Sequence, residues 1–236
     1  MTGLSRGAGR SGWVSGGQRF YGRRKGRSLG VALQRLLADT LPLFRLDPDT
    51  PLASQFAHAP DDIFLEIGFG SGEHLAELAL VRPDASFIGA EPFVNGVATM
   101  LRHINEQDLK NVRLWDDDVR QVLPKLPDGC LAGAYIMFPD PWPKRRHVAR
   151  RILNPAMMET MARLIRAKGV LMLASDDPIA KDWLLQAATA HPGFSWTARR
   201  PADWRNRPAE IPETRYMRKA YSAARAPSWF RFERIT

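Results

Sequence analysis

From Ile63 onward, apolar residues fall in short runs separated by longer stretches with helical spacing. Ile63–Ile67, Ser86–Ala90, Val112–Trp115, Leu131–Phe138 and Val170–Ala174 have the length and composition of strands. Gly72–Val81, Phe93–Gln107, Pro155–Ala167 and Ile179–His191 read as helices. This alternation predicts an α/β fold, a mostly parallel twisted sheet with helices on both faces. Two further candidate strands, Phe194–Thr197 and Thr214–Tyr221, flank a polar loop containing Arg and Pro. Ahead of the first strand, Val31, Leu33, Leu36 and Leu37 predict a short helix over Leu29–Leu41, stopped by Pro42. Pro48, Pro51 and Pro60 then mark an irregular linker, and no internal repeat is visible.

Residues 1–28 break this pattern. They combine many Gly and Ser with Arg6, Arg10, Arg19, Arg23, Arg24, Lys25 and Arg27, and hold few apolar groups to offset the entropy of ordering. The expectation is a basic, disordered N-terminal arm ahead of a single domain over residues 29–236. The arm is either a solubilising tail or an element that settles on phosphates.

Composition adds one strong bias. The 236 residues carry a net charge of +9, so the surface should attract polyanions. Cys130 is the single cysteine, which excludes an internal disulfide and fits a reducing compartment. The longest apolar run, near Gly169 to Ala174, is strand-sized, so no membrane span is expected. The N-terminus lacks the apolar core of a secretory signal, although its Arg- and Ser-rich, acid-poor character leaves an organelle transit peptide open. The preferred location is cytoplasmic. The five histidines are scattered without ligand spacing, so no metal site is expected. No obligatory protein partner is evident.

Candidate chemistry begins at the first strand. Leu65-Glu66-Ile67-Gly68-Phe69-Gly70-Ser71-Gly72 joins that strand to the next helix, and Gly68, Gly70 and Gly72 would permit a sharp turn and close ligand approach. Glu91 closes the second strand, where an acid can accept both hydroxyls of a ribose. Asp116-Asp117-Asp118 closes the third, where Asp118 can meet the amino edge of an adenine. Acids at successive strand ends point to a nucleoside site. A dinucleotide fingerprint would place its third glycine at position 73, where this chain has Glu73. Glu66 would also repel a pyrophosphate but suits a cationic sulfonium and ammonium. The pattern therefore favours S-adenosylmethionine (SAM) over NAD, which leaves an NAD-dependent oxidoreductase as the weaker reading.

The segment Phe138-Pro139-Asp140-Pro141-Trp142-Pro143 follows the fourth strand and opens into the same crevice. Its prolines fix an extended backbone and remove N–H donors, making a stiff wall. Asp140 presents a carboxylate there. Trp142 is either a core residue or a stacking surface for a base. Lys144, Arg145, Arg146, His147, Arg150 and Arg151 come next, either a solvated face or a phosphate-binding tract.

With these residues, followed by Asn154-Pro155, Ala174-Ser175-Asp176 and Thr214-Arg215-Tyr216, the sequence resembles the bacterial tRNA (guanine-N7)-methyltransferases over roughly residues 60 to 233. The resemblance implies a Rossmann-like class I methyltransferase fold and transfer of a methyl group from SAM to guanine N7 in tRNA. It implies that Glu66, Glu91, Asp118 and Asp140 hold SAM, with Asp140 in a positioning and electrostatic role. It further implies that Lys144, Asp176, Thr214, Arg215, Tyr216 and position 217 meet the substrate, with Asp176 accepting from guanine N1–H and its amino group. Position 217 departs from the family, which has Glu where this chain has Met217. Met cannot accept base-edge hydrogen bonds as a carboxylate does. Asp176 then acts alone, or Glu213 substitutes, or activity is reduced. The departure also keeps in view a catalytically silent RNA-binding protein of the same fold.

Overall fold

A computed structural model describes residues 22–56 and 61–236. Most of the arm, residues 1–21, lies outside the described residues, and so does the linker stretch 57–60.

Among the described residues seven strands form one sheet: β1 (Ile63–Ile67), β2 (Ser86–Ala90), β3 (Val112–Trp115), β4 (Leu131–Met137), β5 (Ile165–Ser175), β6 (Phe194–Trp196) and β7 (Ser228–Arg234). Their order is β3-β2-β1-β4-β5-β7-β6, with β1 to β5 parallel and β7 antiparallel to both of its neighbours. β1 and β2 are buried at every position, as strands covered on both faces must be. Along β1, Ile63, Leu65 and Ile67 join the core beneath α5 (Pro155–Leu164) and α6 (Pro178–Thr189), while Phe64 faces the opposite layer. That second layer contains α3 (Glu73–Val81) and α4 (Val94–Glu106). The strand order reverses between β1 and β4, and the crevice at that point is where open α/β sheets bind ligands.

Three expectations change. The helix from Pro155 ends at Leu164 rather than Ala167, because Ile165 already pairs with Leu131 in the sheet. The register then shifts across Lys168, at φ +63°, and Gly169 before Val170 pairs with Gly133. The N-terminal helix continues past Pro42. α1 (Val31–Arg35) runs through a π-helical turn, Leu36–Thr40, into α2 (Leu41–Phe44), where proline falls in the first turn and its missing N–H costs little. The stretch 214–221 is helical, not a strand. Thr214 caps α8 (Arg215–Ser222) by accepting from Met217 N–H, and Met217 and Ala220, three residues apart, are the buried positions. A short helix, α7 (Ala202–Arg205), precedes it, and the seventh strand begins only at Ser228.

Candidate active site

The glycine loop between β1 and α3 needs its glycines for backbone reasons. Gly68, Gly70 and Gly72 adopt φ of +77°, +57° and +79°, a region that side chains strain to enter. A Cβ at Gly68 or Gly70 would meet nothing within 4 Å, so the backbone there faces open space. A Cβ on Gly96 of α4 would lie 2.2 Å from the Gly70 carbonyl oxygen, which shows how closely helix and loop approach.

Glu91, at the end of β2, ties these parts together. Its carboxylate accepts from Gly70 N–H at 2.8 Å and Phe93 N–H at 2.9 Å. Burial pushes its pKa up, opposed by those two bonds and reinforced by the charges of Glu66 and Asp140.

The three consecutive aspartates after β3 each meet an arginine from a different place. Asp116 takes Arg45 at 2.7 Å, Asp117 takes Arg24, and Asp118 takes Arg120, whose Nε donates at 2.9 Å. Asp118 also caps the turn that begins at Val119. Arg24 belongs to the sequence arm. Residues 22–28 of that stretch lie on the start of α4, where Val94 N–H donates to the Arg24 carbonyl and Gly26 N–H to Asn95 Oδ1.

These elements enclose a cavity of about 450 Å³, within the usual range for small-molecule sites. Gly68, Glu91, Asp118, Asp140 and Trp142 line it, with Arg23, Arg120, Arg150 and Arg151 around them. Glu66 does not. The Glu66 carboxylate is buried, with Oε2 2.8 Å from Nδ1 of His74 at the start of α3.

The proline wall is strained as well as stiff. Phe138 and Trp142 hold φ of +52° and +42°, and strain of this kind clusters at functional sites. Trp142 is half-buried rather than a core residue. His147 packs edge-on against its ring at 5.6 Å, and the Arg150 guanidinium lies 5.0 Å from its centre. Desolvation, then Arg150, Arg146 and Lys144, hold His147 below its ordinary pKa. Lys144, Arg145 and Arg146 are exposed on the adjoining turn. Asp140 is exposed at the cavity wall.

Phe138 leads outward. It lines the cavity and packs 4.8 Å from the ring of Tyr216. The Tyr216 hydroxyl donates to Asp176 Oδ1 at 3.0 Å, and burial together with Asp176 pushes its pKa to about 12. Asp176 Oδ2 accepts from Arg225 Nε at 2.7 Å. The start of α8 is held to the start of α3 by Glu73, which accepts from Arg215 N–H at 2.6 Å and faces the Arg215 guanidinium at 3.3 Å. The sequence marked Glu73 only as a departure from a dinucleotide motif, and nothing in it marked Arg225.

Met217 points away from this cluster. It is buried with Met137, Met172, Ile211 and Trp229, so the side chain at 217 packs the sheet instead of reaching a base. Glu213 is exposed at the preceding turn.

A family model described as "Putative methyltransferase" matches residues 60–227. The chain is 50% identical over 227 residues to the tRNA (guanine-N(7)-)-methyltransferase of Rhodospirillum rubrum, covering 92% of this chain and 88% of that one. It is 43% identical to the enzyme of the same name from Azorhizobium caulinodans, covering 92% and 95%. Among solved structures it is similar to the 16S rRNA methyltransferase KamB, with TM-score 0.55 and 18% identity over 75% of this chain and 89% of that one. It is also similar to a mutant of the 16S rRNA (adenine(1408)-N(1))-methyltransferase of Catenulisporales acidiphilia, solved with SAM. That likeness has TM-score 0.56 and 16% identity over 81% and 92%. At such identities the structural likeness concerns the fold, a class I methyltransferase sheet, whereas the sequence relatives settle the family. The chain belongs to the tRNA (guanine-N(7)-)-methyltransferase family.

Proposed function

We propose that this chain transfers a methyl group from SAM to N7 of a guanine in tRNA, in keeping with its family a variable-loop guanine, forming 7-methylguanosine. One observation carries the reading. A carboxylate-lined cavity at the ends of the parallel strands continues, through Phe138, into the Tyr216–Asp176 pair beside a basic turn.

The residues fit SAM. Gly68 and Gly70 leave open backbone beside the cavity, Glu91 is placed for ribose hydroxyls, and Asp118 lies where a purine edge would sit. When bound, SAM supplies a methyl group on a cationic sulfur. Asp140 contributes negative charge at the wall, where it can bind the cofactor's ammonium or orient the guanine. Glu66, one residue before the end of β1, is a further carboxylate to hold SAM. Guanine N7 carries a lone pair and no proton, so the chain need not supply a general base. Its task is alignment and electrostatics. Asp176 accepts from the N1–H and amino group of guanine, a pair of donors that adenine lacks. Lys144, Arg145, Arg146, His147, Arg150 and Arg151 bind phosphates and hold the RNA in register. Thr214 and Arg215 act by fixing α8, which presents Tyr216. A cytoplasmic location is proposed with it, as the compartment that would supply a tRNA substrate.

The test is direct. Unmodified tRNA incubated with labelled SAM and the full chain yields 7-methylguanosine on nucleoside analysis. If the chain binds SAM and tRNA yet forms no such nucleoside, the proposal fails and the silent RNA-binding reading takes its place.

A further inference from the structure

Asp176 is almost wholly enclosed, with its side chain 4% exposed, yet the group that covers its Oδ2 is not: the Arg225 side chain is 52% exposed. Arg225 stands on the turn closing α8, where Ala224 has φ +55° and Arg225 N–H returns to the Ala220 carbonyl at 2.9 Å. The other carboxylate oxygen, Oδ1, is held by Tyr216, itself packed on Phe138 at the cavity wall. One side of the buried acid is thus fixed to the site. The other is closed by a long side chain that can leave toward solvent.

The chemistry of the cover matches that of the expected ligand. The N1–H, C2 and exocyclic amino group of guanine form a guanidine fragment, and Arg225 offers Asp176 an N–H of a guanidinium. The geometry points to Arg225 as a latch that occupies the guanine-reading carboxylate in the free chain and is displaced by the base. This inference rests on the proposed guanine reading of Asp176 and adds a competitor to it.

A displaced competitor lowers apparent affinity for every ligand that reads Asp176 by the same factor, and leaves other ligands untouched. Removing it therefore tightens binding of guanosine and inosine alike, since both carry N1–H, but not of purine riboside, which has neither N1–H nor an amino group. For a half-exposed ion pair the gain is about two- to fivefold.

The experiment measures binding of the three nucleosides by ligand-observed NMR, with the cofactor cavity filled by S-adenosylhomocysteine. Free nucleosides carry no phosphate, so loss of a cation at 225 has no polyanion to act on. Arg225→Ala is expected to tighten guanosine and inosine and to leave purine riboside unchanged. Arg225→Lys, which keeps a cation over Asp176, is expected to stay near the wild-type value. In an Asp176→Asn background the gain from Arg225→Ala should vanish. Equal or weaker guanosine binding by a folded Arg225→Ala chain overturns the latch. So does a gain that includes purine riboside. If the wild-type chain still forms 7-methylguanosine in those cases, the proposed reaction stands without the latch. The absence of that product is a separate failure, of the reaction itself.

Discussion

The site has two parts built on different principles. In the inner cavity, Glu91 is held by backbone N–H groups of Gly70 and Phe93, and the loop bearing Gly70 is pressed against Gly96 of α4. In the outer part, Asp176 is held by two side chains, Tyr216 and Arg225, both from α8 and the turn after it. Backbone donors cannot leave without unfolding the loop, whereas side chains can rotate away. The inner part therefore suits a ligand that enters a standing mould, and the outer part suits one that must be admitted. Phe138, strained at φ +52°, touches both.

Asp140 should separate chemistry from stability most sharply. It is exposed at the cavity wall, so truncating it removes little packing. Asp140→Ala should lower methyl transfer to tRNA by about a hundred- to a thousandfold, the usual loss when one preorganised electrostatic group is removed from an active site. Its melting temperature should stay within a degree or two of wild type, roughly the effect expected of an exposed substitution. A folded Asp140→Ala chain with near-normal turnover would remove Asp140 from the mechanism and leave the inner cavity as a binding site only.

The two parts also differed in how far they could be read in advance. The bounds of β1, β2 and β3 agree with their apolar runs because the pattern is local: β1 and β2 are parallel strands buried throughout, and β3, at the sheet edge, alternates buried and half-buried positions. The acids that follow them were visible for the same reason: in this architecture a strand's carboxyl end opens onto the crevice. The outer part depends on tertiary choices. Thr214, Tyr216 and Tyr221 favour a strand by type, but the Thr214 cap and the burial of Met217 and Ala220 on one face select a helix. That one reversal moves residue 217 into the core and brings Arg225 over Asp176. At Ile165, sheet pairing with Leu131 overrides a helical pattern. The pairing of Glu66 with His74 was not legible for a related reason, since His74 stands in the first turn of the next helix and the loop alone does not reveal it.

Met217 tests whether the outer part owes its order to the core beneath it. Met217→Ala should destabilise the chain by about 2–3 kcal/mol, the lower part of the range for a buried methionine, because an eight-residue helix can settle into the space. Chemical denaturation measures this directly. Tyr216 and Arg215 ride on the same helix, so KM for tRNA should rise while SAM affinity, measured by calorimetry, stays unchanged. An equal loss of SAM affinity would show that the two parts are one mechanical unit, contrary to the division drawn above.

The smallest effect sharpens the inner part. Glu91 has a pKa raised above 4.5 because burial outweighs its two backbone hydrogen bonds. The folded chain then binds a proton at Glu91 more tightly than the unfolded chain does, so the slope of stability with pH is negative between 4.5 and the raised value. Glu91 thus contributes most below 4.5, and that contribution is lost as pH rises through the folded value. Glu91→Gln keeps an acceptor for one of the two N–H groups but cannot titrate, so its stability profile should lose this falling arm. Ribose hydroxyls donating to Glu91 and a positive charge nearby both favour the carboxylate, and so the arm should shrink in wild-type chain saturated with SAM and shrink less in chain saturated with the uncharged-sulfur product. If both ligands flatten the profile equally, Glu91 responds to the ligand's hydroxyls and not to its charge, and the inner mould recognises shape before charge.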